Sequence, residues 1–230
     1  ETESNWIAEQ QIRNEGKPTH GAIVMNKQQA TYRIDPYFAN LSILGMLEHP
    51  TPDHIAAAKR WFEWYFNHMN RTEDVYGIKG TVYVYYVDPG NLHEEWTEND
   101  YSASDSRGSS FVLALKKYYD ATGDRTYLLE RKADIELALD SALFTMQPNG
   151  LTFARNQEGH YTQYLQDNSL VYQSLETMVW LEEKVFEDEE KAEHYRRLLD
   201  KNYHGIEQMY IPVKDEYYYY YTPNRIRPSD

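Results

Sequence analysis

The sequence of 230 residues contains no cysteine. Without thiols the chain cannot form disulfide bonds, thiolate zinc sites or a cysteine nucleophile. A cysteine-free composition fits a cytosolic protein and a bacterial secreted protein alike. The location is therefore open, with a secreted or cell-surface bacterial location slightly favoured.

The sequence also lacks long apolar runs and is poor in cations. No run approaches the roughly 20 apolar residues that a membrane-spanning helix needs, and the polar start Glu1-Thr2-Glu3-Ser4 does not resemble a signal peptide. Lys and Arg number 23 against 37 Asp and Glu, which gives a formal net charge of −14. This charge repels nucleic-acid phosphates and anionic lipids. We therefore expect no nucleic-acid partner and no membrane span.

Aromatic residues, by contrast, are abundant. They make up 15% of the chain, within a hydrophobic fraction of 41%, and 22 of them are tyrosines. This composition is enough for a folded core. Tyrosine joins a flat apolar ring to a polar tip, which suits stacking on sugars and also suits lining a half-hydrated interior. The composition leaves both uses open.

Three similar stretches each place an aspartate in front of an apolar run with helical spacing. Small or capping residues follow each aspartate, as expected at a helix start. The aspartates lie 70 and 62 residues apart, and a repeat of this period indicates one supersecondary unit used several times. The stretches are Ile34–Asn40 with Asp35, Ser104–Ser110 with Asp105, and Gln166–Tyr172 with Asp167.

Between these starts, the sequence predicts further helices and strand-rich segments in a recurring order. Asp35-Pro36 and Thr51-Pro52 are strong helix-start signals, because proline suits the first helical position after a cap. We expect helices at 3–14, 35–48, 52–69, 105–122, 124–146, from 167 onward and at 189–209. We expect strands at 20–25, 30–34, 80–87, 151–155, 160–164 and 217–221, with an acidic loop at 91–100.

Two parts of the sequence resemble members of one glycosidase superfamily. They are Tyr101–Asp105 together with Phe111–Asp124, and Tyr164–Asn168. Helix pairs joined by short hairpins also resemble this superfamily, the six-hairpin glycosidases. The resemblance implies an all-α fold, an α/α toroid with inner and outer rings of helices, built as one domain over residues 1–230.

A complete toroid of this superfamily needs more helices than the seven that the sequence predicts. Asp230 falls about one repeat period after Asp167, where a fourth helix start is due. An array cut at that point would leave apolar surface uncovered. We therefore expect a chain that is truncated at its C-terminal end or is one half of an assembly, and that tends to self-associate.

By analogy with the superfamily, the substrate cleft lies where the inner helices begin, which would gather Asp35, Asp105 and Asp167 at one mouth. Hydrolysis of a glycosidic bond needs one protonated and one ionised carboxyl. All three aspartates also fit a structural role as helix caps, which lowers the pKa of a carboxyl and suits a base better than an acid. Asp100, in the acidic loop, is therefore a rival for the acid.

Candidate substrate-binding residues lie near these aspartates and between the helices. Trp96 is a candidate sugar platform, and Arg107 can pair with Asp105 or with a substrate carboxylate. His20 and His160 fit ordinary loop positions as well as sugar binding. The sequence contains no metal-ligand spacing and no cofactor motif, so we expect neither group. Tyrosines complete the candidate set, namely Tyr37, Tyr101 and Tyr164.

The leading hypothesis is a glycoside hydrolase that acts on a poly- or oligosaccharide by carboxylate acid and base catalysis. One alternative is a glycan-binding module or inactive relative, whose tyrosine-lined groove holds a carbohydrate without cleaving it. Another is a polysaccharide lyase, in which a histidine or tyrosine removes a proton. The sequence leaves the sugar, the linkage and the stereochemical outcome open.

Overall fold

The structure is a computed structural model that describes residues 2–222. Asp230 and the residues just before it, on which the expected fourth helix start depends, lie outside the described residues. The prediction of a mainly helical chain is confirmed. The α-helices are α1 Thr2–Glu9, α2 Pro36–Met46, α3 Pro52–His68, α4 Asp105–Thr122, α5 Arg125–Glu130, α6 Lys132–Leu143, α7 Leu165–Leu181 and α8 Glu189–Glu207.

Side-chain caps explain where several helices begin. Asp35 accepts a hydrogen bond from the Tyr37 N–H at 3.2 Å before α2, and Thr51 accepts one from the His54 N–H at 3.2 Å before α3. A proline follows each cap and fits the first helical turn. The end of α4 also has a local cause, because Gly123 adopts a left-handed conformation there.

The helix predicted over 124–146 is instead two helices, α5 and α6. The break falls at Arg131, whose φ of −107° and ψ of 6° lie outside the α-helical region. The Arg131 guanidinium pairs with Glu63 at 2.5 Å and lies over the ring of Phe66 at 5.1 Å. These contacts with α3 hold Arg131 in its non-helical conformation.

The helices pack in two rows, and α2, α4 and α7 form the row that we call inner. In this row α4 contacts both of its neighbours. The outer row lies across it: α3 contacts α2 and α4, α6 contacts α4 and α7, and α8 packs on α7. At one end of the rows, α1 packs against α2 and α3. No helix within residues 2–222 has the length and apolar character needed to cross a membrane.

A continuous apolar core fills the space between the rows. Its centre holds Trp61, Phe62 and Tyr65 of α3, all fully buried. Phe111 of α4 stacks on Tyr65 with ring centroids 3.6 Å apart. Trp6, which lies in the helix predicted over 3–14, is 49% exposed, because α1 is short and packs only along the edge of the rows.

Short antiparallel strands occupy the segments between helices. The strand predicted at 20–25 is reduced to a single bridge between Ile23 and Gln11. One sheet has the order β1-β2-β3, β4 pairs with β7, and β5 pairs with β6. The strands are β1 Tyr32–Ile34, β2 Tyr85–Asp88, β3 Asn91–Thr97, β4 Gln163–Tyr164, β5 Tyr210–Ile211, β6 Glu216–Tyr217 and β7 Tyr220–Tyr221.

The prediction of an acidic loop at 91–100 is wrong for most of its length, because residues 91–97 form β3. Trp96 pairs with Tyr86 across the two strands. Glu95, which lies in the segment predicted as an acidic loop, accepts a hydrogen bond from Trp64 Nε1 at 3.2 Å and bonds His68 Nε2. Aromatic neighbours therefore offset the low strand preference of the acidic residues.

The strand predicted at 151–155 is also wrong, because side chains and the backbone N–H groups of Gln147 and Ser104, rather than a second strand, bond to its backbone. The Asn168 side chain accepts from the Thr152 N–H at 2.8 Å and donates to the Thr152 carbonyl at 3.1 Å. Gln163 Nε2 donates to the Leu151 carbonyl at 3.1 Å. The backbone groups to which these side chains bond are buried, and no strand partner is needed.

One glycine in each repeat presses against the backbone of an outer helix. All three glycines have positive φ, and a Cβ atom added to any of them would lie only 2.0 to 2.2 Å from a carbonyl oxygen. The glycines are Gly21, Gly80 and Gly150, and the carbonyls belong to Arg60 of α3, Leu137 of α6 and Lys201 of α8. The repeat in the sequence is therefore also a repeat of close packing.

Candidate active site

The first turns of the three inner helices line one cavity of about 430 Å³. Because these helices all begin at its wall, polar side chains at their starts converge there. Asp35, Tyr37 and Phe38 come from the start of α2, Ser106 from α4, and Gln166 and Asp167 from α7. The wall also includes His160, Tyr164 and Tyr219.

Hydrogen-bond donors nearly surround the carboxylate of Asp35. Arg33 Nη2 donates to Oδ2 at 2.8 Å, and Arg107 Nη2 donates to Oδ1 at 2.9 Å. The Tyr37 N–H donates to Oδ1 at 3.2 Å, so Asp35 also caps α2. An ionised carboxylate has about four lone-pair sites. These three donors leave about one of them for a water molecule or a ligand.

Asp105 lies beside Ser106 of the cavity wall but has no exposed surface itself. Its carboxylate accepts hydrogen bonds from the Ser106 N–H at 2.8 Å and from Thr152 Oγ1 at 2.9 Å. A capping role for Asp105 is wrong, because it is the first residue of α4 and Ser104 holds the cap position. Burial raises the pKa of Asp105 to about 6, although the two hydrogen bonds act in the opposite direction.

Asp167 lies in the first turn of α7 and lines the cavity. A capping role is wrong here too, because Tyr164 holds the cap position of this helix. Within residues 2–222, no side chain or backbone N–H donates a hydrogen bond to the Asp167 carboxyl. Burial raises the pKa of Asp167, and the neighbouring charge of Asp105 raises it further, to about 8. Asp167 therefore holds a proton at neutral pH.

These raised pKa values make the stability of the fold depend on pH. An unfolded aspartate has a pKa of about 3.9, so between about pH 4 and 8 the folded chain keeps protons that the unfolded chain has released. The free energy of unfolding therefore falls as the pH rises through this window. Asp167→Asn should raise the melting temperature at pH 8 by roughly 3 to 6 °C, equivalent to about 1 to 2 kcal/mol. At pH 4 it should change little.

Thermal unfolding of the wild type and the variant at both pH values checks this expectation. Asp200→Asn is a matched control, because Asp200 is exposed on α8. Its effect should be the same at pH 4 and pH 8. A melting temperature of Asp167→Asn that follows the wild type at both pH values would contradict the raised pKa.

A second cavity, of about 390 Å³, adjoins the first and shares Ser102 and His160 with it. Arg155 Nη2 and His160 Nε2 lie 3.1 Å apart. Because arginine can only donate, this contact assigns the acceptor role to Nε2 and the ring proton to Nδ1. His160 lies between the two cavities and can accept this bond through Nε2.

Asp100 lies in the wall of the second cavity. Its carboxylate accepts hydrogen bonds from the Tyr101 N–H and Arg155 Nη1, both at 2.7 Å, and from the Tyr76 hydroxyl. Burial raises the pKa of Asp100, but the donors outweigh burial and hold the pKa below its usual value. The ionised Asp100 does not fit the role of acid for which the sequence made it a rival.

Aromatic rings from separate parts of the chain line the first cavity. Tyr37 and Phe38 meet edge to face with centroids 5.2 Å apart, and Phe38 is 47% exposed. Tyr164 and Tyr219 also meet edge to face, at 6.1 Å. Gln166 Nε2 donates to the Tyr37 hydroxyl at 3.2 Å and so links α7 to α2. Partly exposed rings of this kind offer flat apolar faces to a ligand.

Two residues that the sequence suggested for substrate binding hold the site together instead. Arg107 is only 3% exposed and pairs with Asp35 rather than with Asp105. Tyr101 is 2% exposed, and its hydroxyl donates to Asp74 Oδ2 at 2.7 Å. Both side chains have their polar groups directed into the protein.

Two other candidates lie away from the first cavity. Trp96 stacks on Tyr86 of β2 with centroids 5.8 Å apart, and it is not part of the wall of either cavity described above. His20 lines a separate third cavity, together with Arg60 and His93. Neither residue is brought together with Asp35 and Asp167.

Three residues that hold the site were missed from the sequence: Arg33, Thr152 and Arg155. Arg33 could have been found, because it lies two residues before Asp35. The sequence indicated Thr152 less strongly, by its position two residues after the repeated glycine Gly150. Arg155 had none, because its partner Asp100 is 55 residues away in the chain.

No protein-family model matches the chain, and no curated protein matches it. Among solved structures, it is similar to the crystal structure of a sugar epimerase from a ruminal bacterium, with a TM-score of 0.57 and 15% sequence identity. The match covers 85% of this chain and 50% of that one. This chain therefore spans about half the length of the epimerase structure, and the two share a fold over that part.

Proposed function

We propose that the chain is a carbohydrate-processing protein that hydrolyses a glycosidic bond, with Asp167 as the general acid. The observation that carries the proposal is the Asp167 carboxyl, which lines an aromatic cavity and whose raised pKa keeps it protonated at neutral pH. A general acid in this reaction must hold a proton and reach the oxygen of the leaving sugar. Asp167 has the proton, and its carboxyl faces the space where a sugar would bind.

Asp35 is the proposed partner of Asp167, because it is the other carboxylate in the wall of this cavity. Its remaining lone-pair site can accept a hydrogen bond from a water molecule. In an inverting hydrolysis, such a base takes a proton from the attacking water while the acid protonates the leaving oxygen. Asp105 acts through Asp167 as a positioning residue, since its charge favours the protonated form of its neighbour.

The aromatic residues of the first cavity suit a sugar ring better than a charged ligand. Phe38 and Tyr219 offer exposed ring faces, and Gln166 and His160 offer polar groups beside them. The second cavity continues from His160 and carries the polar groups of Asp100 and Arg155. Two adjoining cavities of this character suit neighbouring units of one oligosaccharide.

We also propose that the two rows of helices belong to an α/α toroid built as a single domain. The outer helices α3 and α6 each bridge two successive inner helices, which is the arrangement of a ring segment. The similarity to the epimerase structure, over about half of its length, supports a shared helical architecture. In such a ring, the cavity at the inner helix starts would be the mouth.

Epimerisation of a sugar is the second candidate function, because the similar solved structure is described as a sugar epimerase. Epimerisation at a carbon beside a carbonyl group proceeds by removal of a proton from that carbon and return of one. His160, at the junction of the cavities, is an imidazole that can carry out such proton transfers. Its Nε2 is already engaged by Arg155, however, and this contact favours hydrolysis by the carboxyl pair.

Incubation with a panel of oligosaccharides, followed by product analysis, tests the proposal. New reducing ends that disappear in Asp167→Asn are expected for the hydrolase. A changed sugar configuration without bond cleavage would establish the epimerase instead. Unsaturated products that absorb in the ultraviolet would establish a lyase, and saturable binding without any product would establish a glycan-binding module.

A further inference from the structure

A third cavity, of about 390 Å³, lies beside α3 and apart from the two cavities described above. Three cations line it, namely Arg13, Lys17 and Arg60, together with the single acid Glu15. Asn14 and the two histidines His20 and His93 complete the wall. The side chains around this cavity therefore carry a local charge of about two positive units in a chain with a net charge of −14.

These cations differ from most others in the protein because they have no acidic partner. Of the 21 lysines and arginines within residues 2–222, 15 pair with a carboxylate. Within residues 2–222, the exceptions are Arg13, Lys17, Lys27, Arg60, Lys79 and Lys201. Half of the unpaired cations thus share one cavity. Burial, and after it the charge of Arg13, lowers the pKa of Arg60, which shows that these cations repel each other.

Hydrogen bonds fix the frame of the cavity. Buried Gln11 accepts from Arg60 Nε at 2.8 Å and donates to the carbonyls of Gly21 and Ala57. The guanidinium of Arg60 is therefore anchored at Nε, which leaves its two terminal nitrogens free for a ligand. Asn14, also in the wall, donates from Nδ2 to the Leu92 carbonyl at 2.7 Å.

The same carbonyl also accepts from Thr19 Oγ1 at 2.5 Å. These bonds join the loop that carries Lys17 to the strand that carries His93. His20 Nδ1 is also buried and makes no hydrogen bond, so it can bond to a ligand. Hydrogen bonds therefore fix Arg60 and the loop that carries Lys17, while the side chains of Arg13 and Lys17 are exposed.

We propose that this third cavity is a binding site for a small ligand carrying a phosphate or sulfate group. A tetrahedral oxyanion with a charge near −2 matches the local charge of about two positive units. Arg13, Lys17 and Arg60 all line the cavity as hydrogen-bond donors, and guanidinium groups bind such oxyanions in a bidentate way. The acidic residues Glu15 and Asp53 near Arg60 favour a compact anion over an extended polyanion.

Isothermal titration calorimetry with inorganic phosphate, sulfate and acetate, at constant ionic strength, tests this proposal. We expect saturable 1:1 binding of phosphate and sulfate, and at least tenfold weaker binding of acetate. Arg60→Gln should weaken phosphate binding about tenfold or more, and Lys17→Gln should also weaken it. Lys201→Gln is the matched control, because it removes an unpaired cation elsewhere on the surface and should leave the affinity unchanged.

Lys17 is exposed, so Lys17→Gln is expected to fold even if Arg60→Gln loses stability with its Gln11 contact. Phosphate-induced chemical-shift changes in the backbone amides of residues 13–17, 19, 20 and 93 would locate the site in the wild-type protein. The proposal is overturned if phosphate shows no saturable binding. It is also overturned if acetate binds as tightly as phosphate, or if Lys201→Gln weakens binding as much as the cavity variants. The proposal does not rest on the hydrolase assignment.

Discussion

Asp167→Asn is expected to lower turnover on an oligosaccharide substrate about 10²- to 10⁴-fold, which is the usual contribution of a general acid. The asparagine amide keeps the size of the side chain but has no acidic proton to give to the leaving oxygen. The wild-type rate should fall above about pH 8, as Asp167 loses its proton. In the variant, this alkaline loss should disappear.

A change of leaving group separates an acid from a residue that only shapes the cavity. A dinitrophenyl glycoside needs little protonation of its leaving oxygen, so Asp167→Asn should retain most of the bond-cleaving rate on it. Equal losses on the aryl glycoside and on the oligosaccharide would contradict the assignment of Asp167 as the acid. Asp200→Asn is again the control, and it should leave both rates unchanged.

Asp105→Asn tests how the charge of buried Asp105 affects the proton on Asp167. Removal of the Asp105 charge lowers the pKa of Asp167, so the alkaline limb of the rate profile should move to lower pH. The asparagine carbonyl can still accept from the Ser106 N–H, which keeps the local frame. A lower rate at all pH values, with no shift of the limb, would assign Asp105 a purely structural role.

Gly150→Ala is expected to reduce the free energy of unfolding by about 3 to 5 kcal/mol. Gly150 has a φ of +86°, and the new Cβ atom would lie 2.0 Å from the carbonyl oxygen of Lys201. The backbone of α8 must shift to make room, because a carbonyl oxygen cannot rotate away as a flexible side chain can. Chemical denaturation with urea measures the change.

Gly123→Ala separates the close contact from the cost of the backbone conformation. Gly123 also has a positive φ, but nothing lies within 4 Å of the position where its Cβ would be. Its replacement should cost about 1 to 2 kcal/mol, from conformation alone. Equal losses in the two variants would mean that the contact between Gly150 and α8 adds nothing to stability.

Helix starts could be predicted from the sequence because their causes are local. The Asp35-Pro36 and Thr51-Pro52 pairs each contain the cap and the restricted φ that a helix start needs, and α2 and α3 begin there. The end of α4 has a local cause as well, namely the glycine that caps it. Interactions over three or four residues are visible in a sequence without knowledge of the fold.

Strands could not be predicted in the same way because their partners are distant. The segment 151–155 has the composition of a strand, but Asn168 and Gln163 satisfy its backbone before any strand can pair with it. The acidic segment 91–97 has the composition of a loop, but Tyr86 and Trp64 make it a strand. In both cases, residues elsewhere in the chain decide the outcome.

The protonation of Asp167 was equally invisible in the sequence. As a helix cap, Asp167 would have had a lowered pKa, and the sequence therefore indicated a base rather than an acid. Its pKa depends on burial and on Asp105, 62 residues earlier in the chain. The aspartates could be named from their positions, but their roles depend on which of them is bonded, buried or left without a donor.

The glycine contacts also bear on the order in which the chain can fold during synthesis. Each contact joins a glycine to an outer helix that follows it by about 40 to 60 residues. Each loop that must close is therefore short relative to the whole chain, and its entropic cost is modest. A helix pair can thus dock as soon as its outer helix has left the ribosome, because its glycine contact needs nothing from the residues still to be translated.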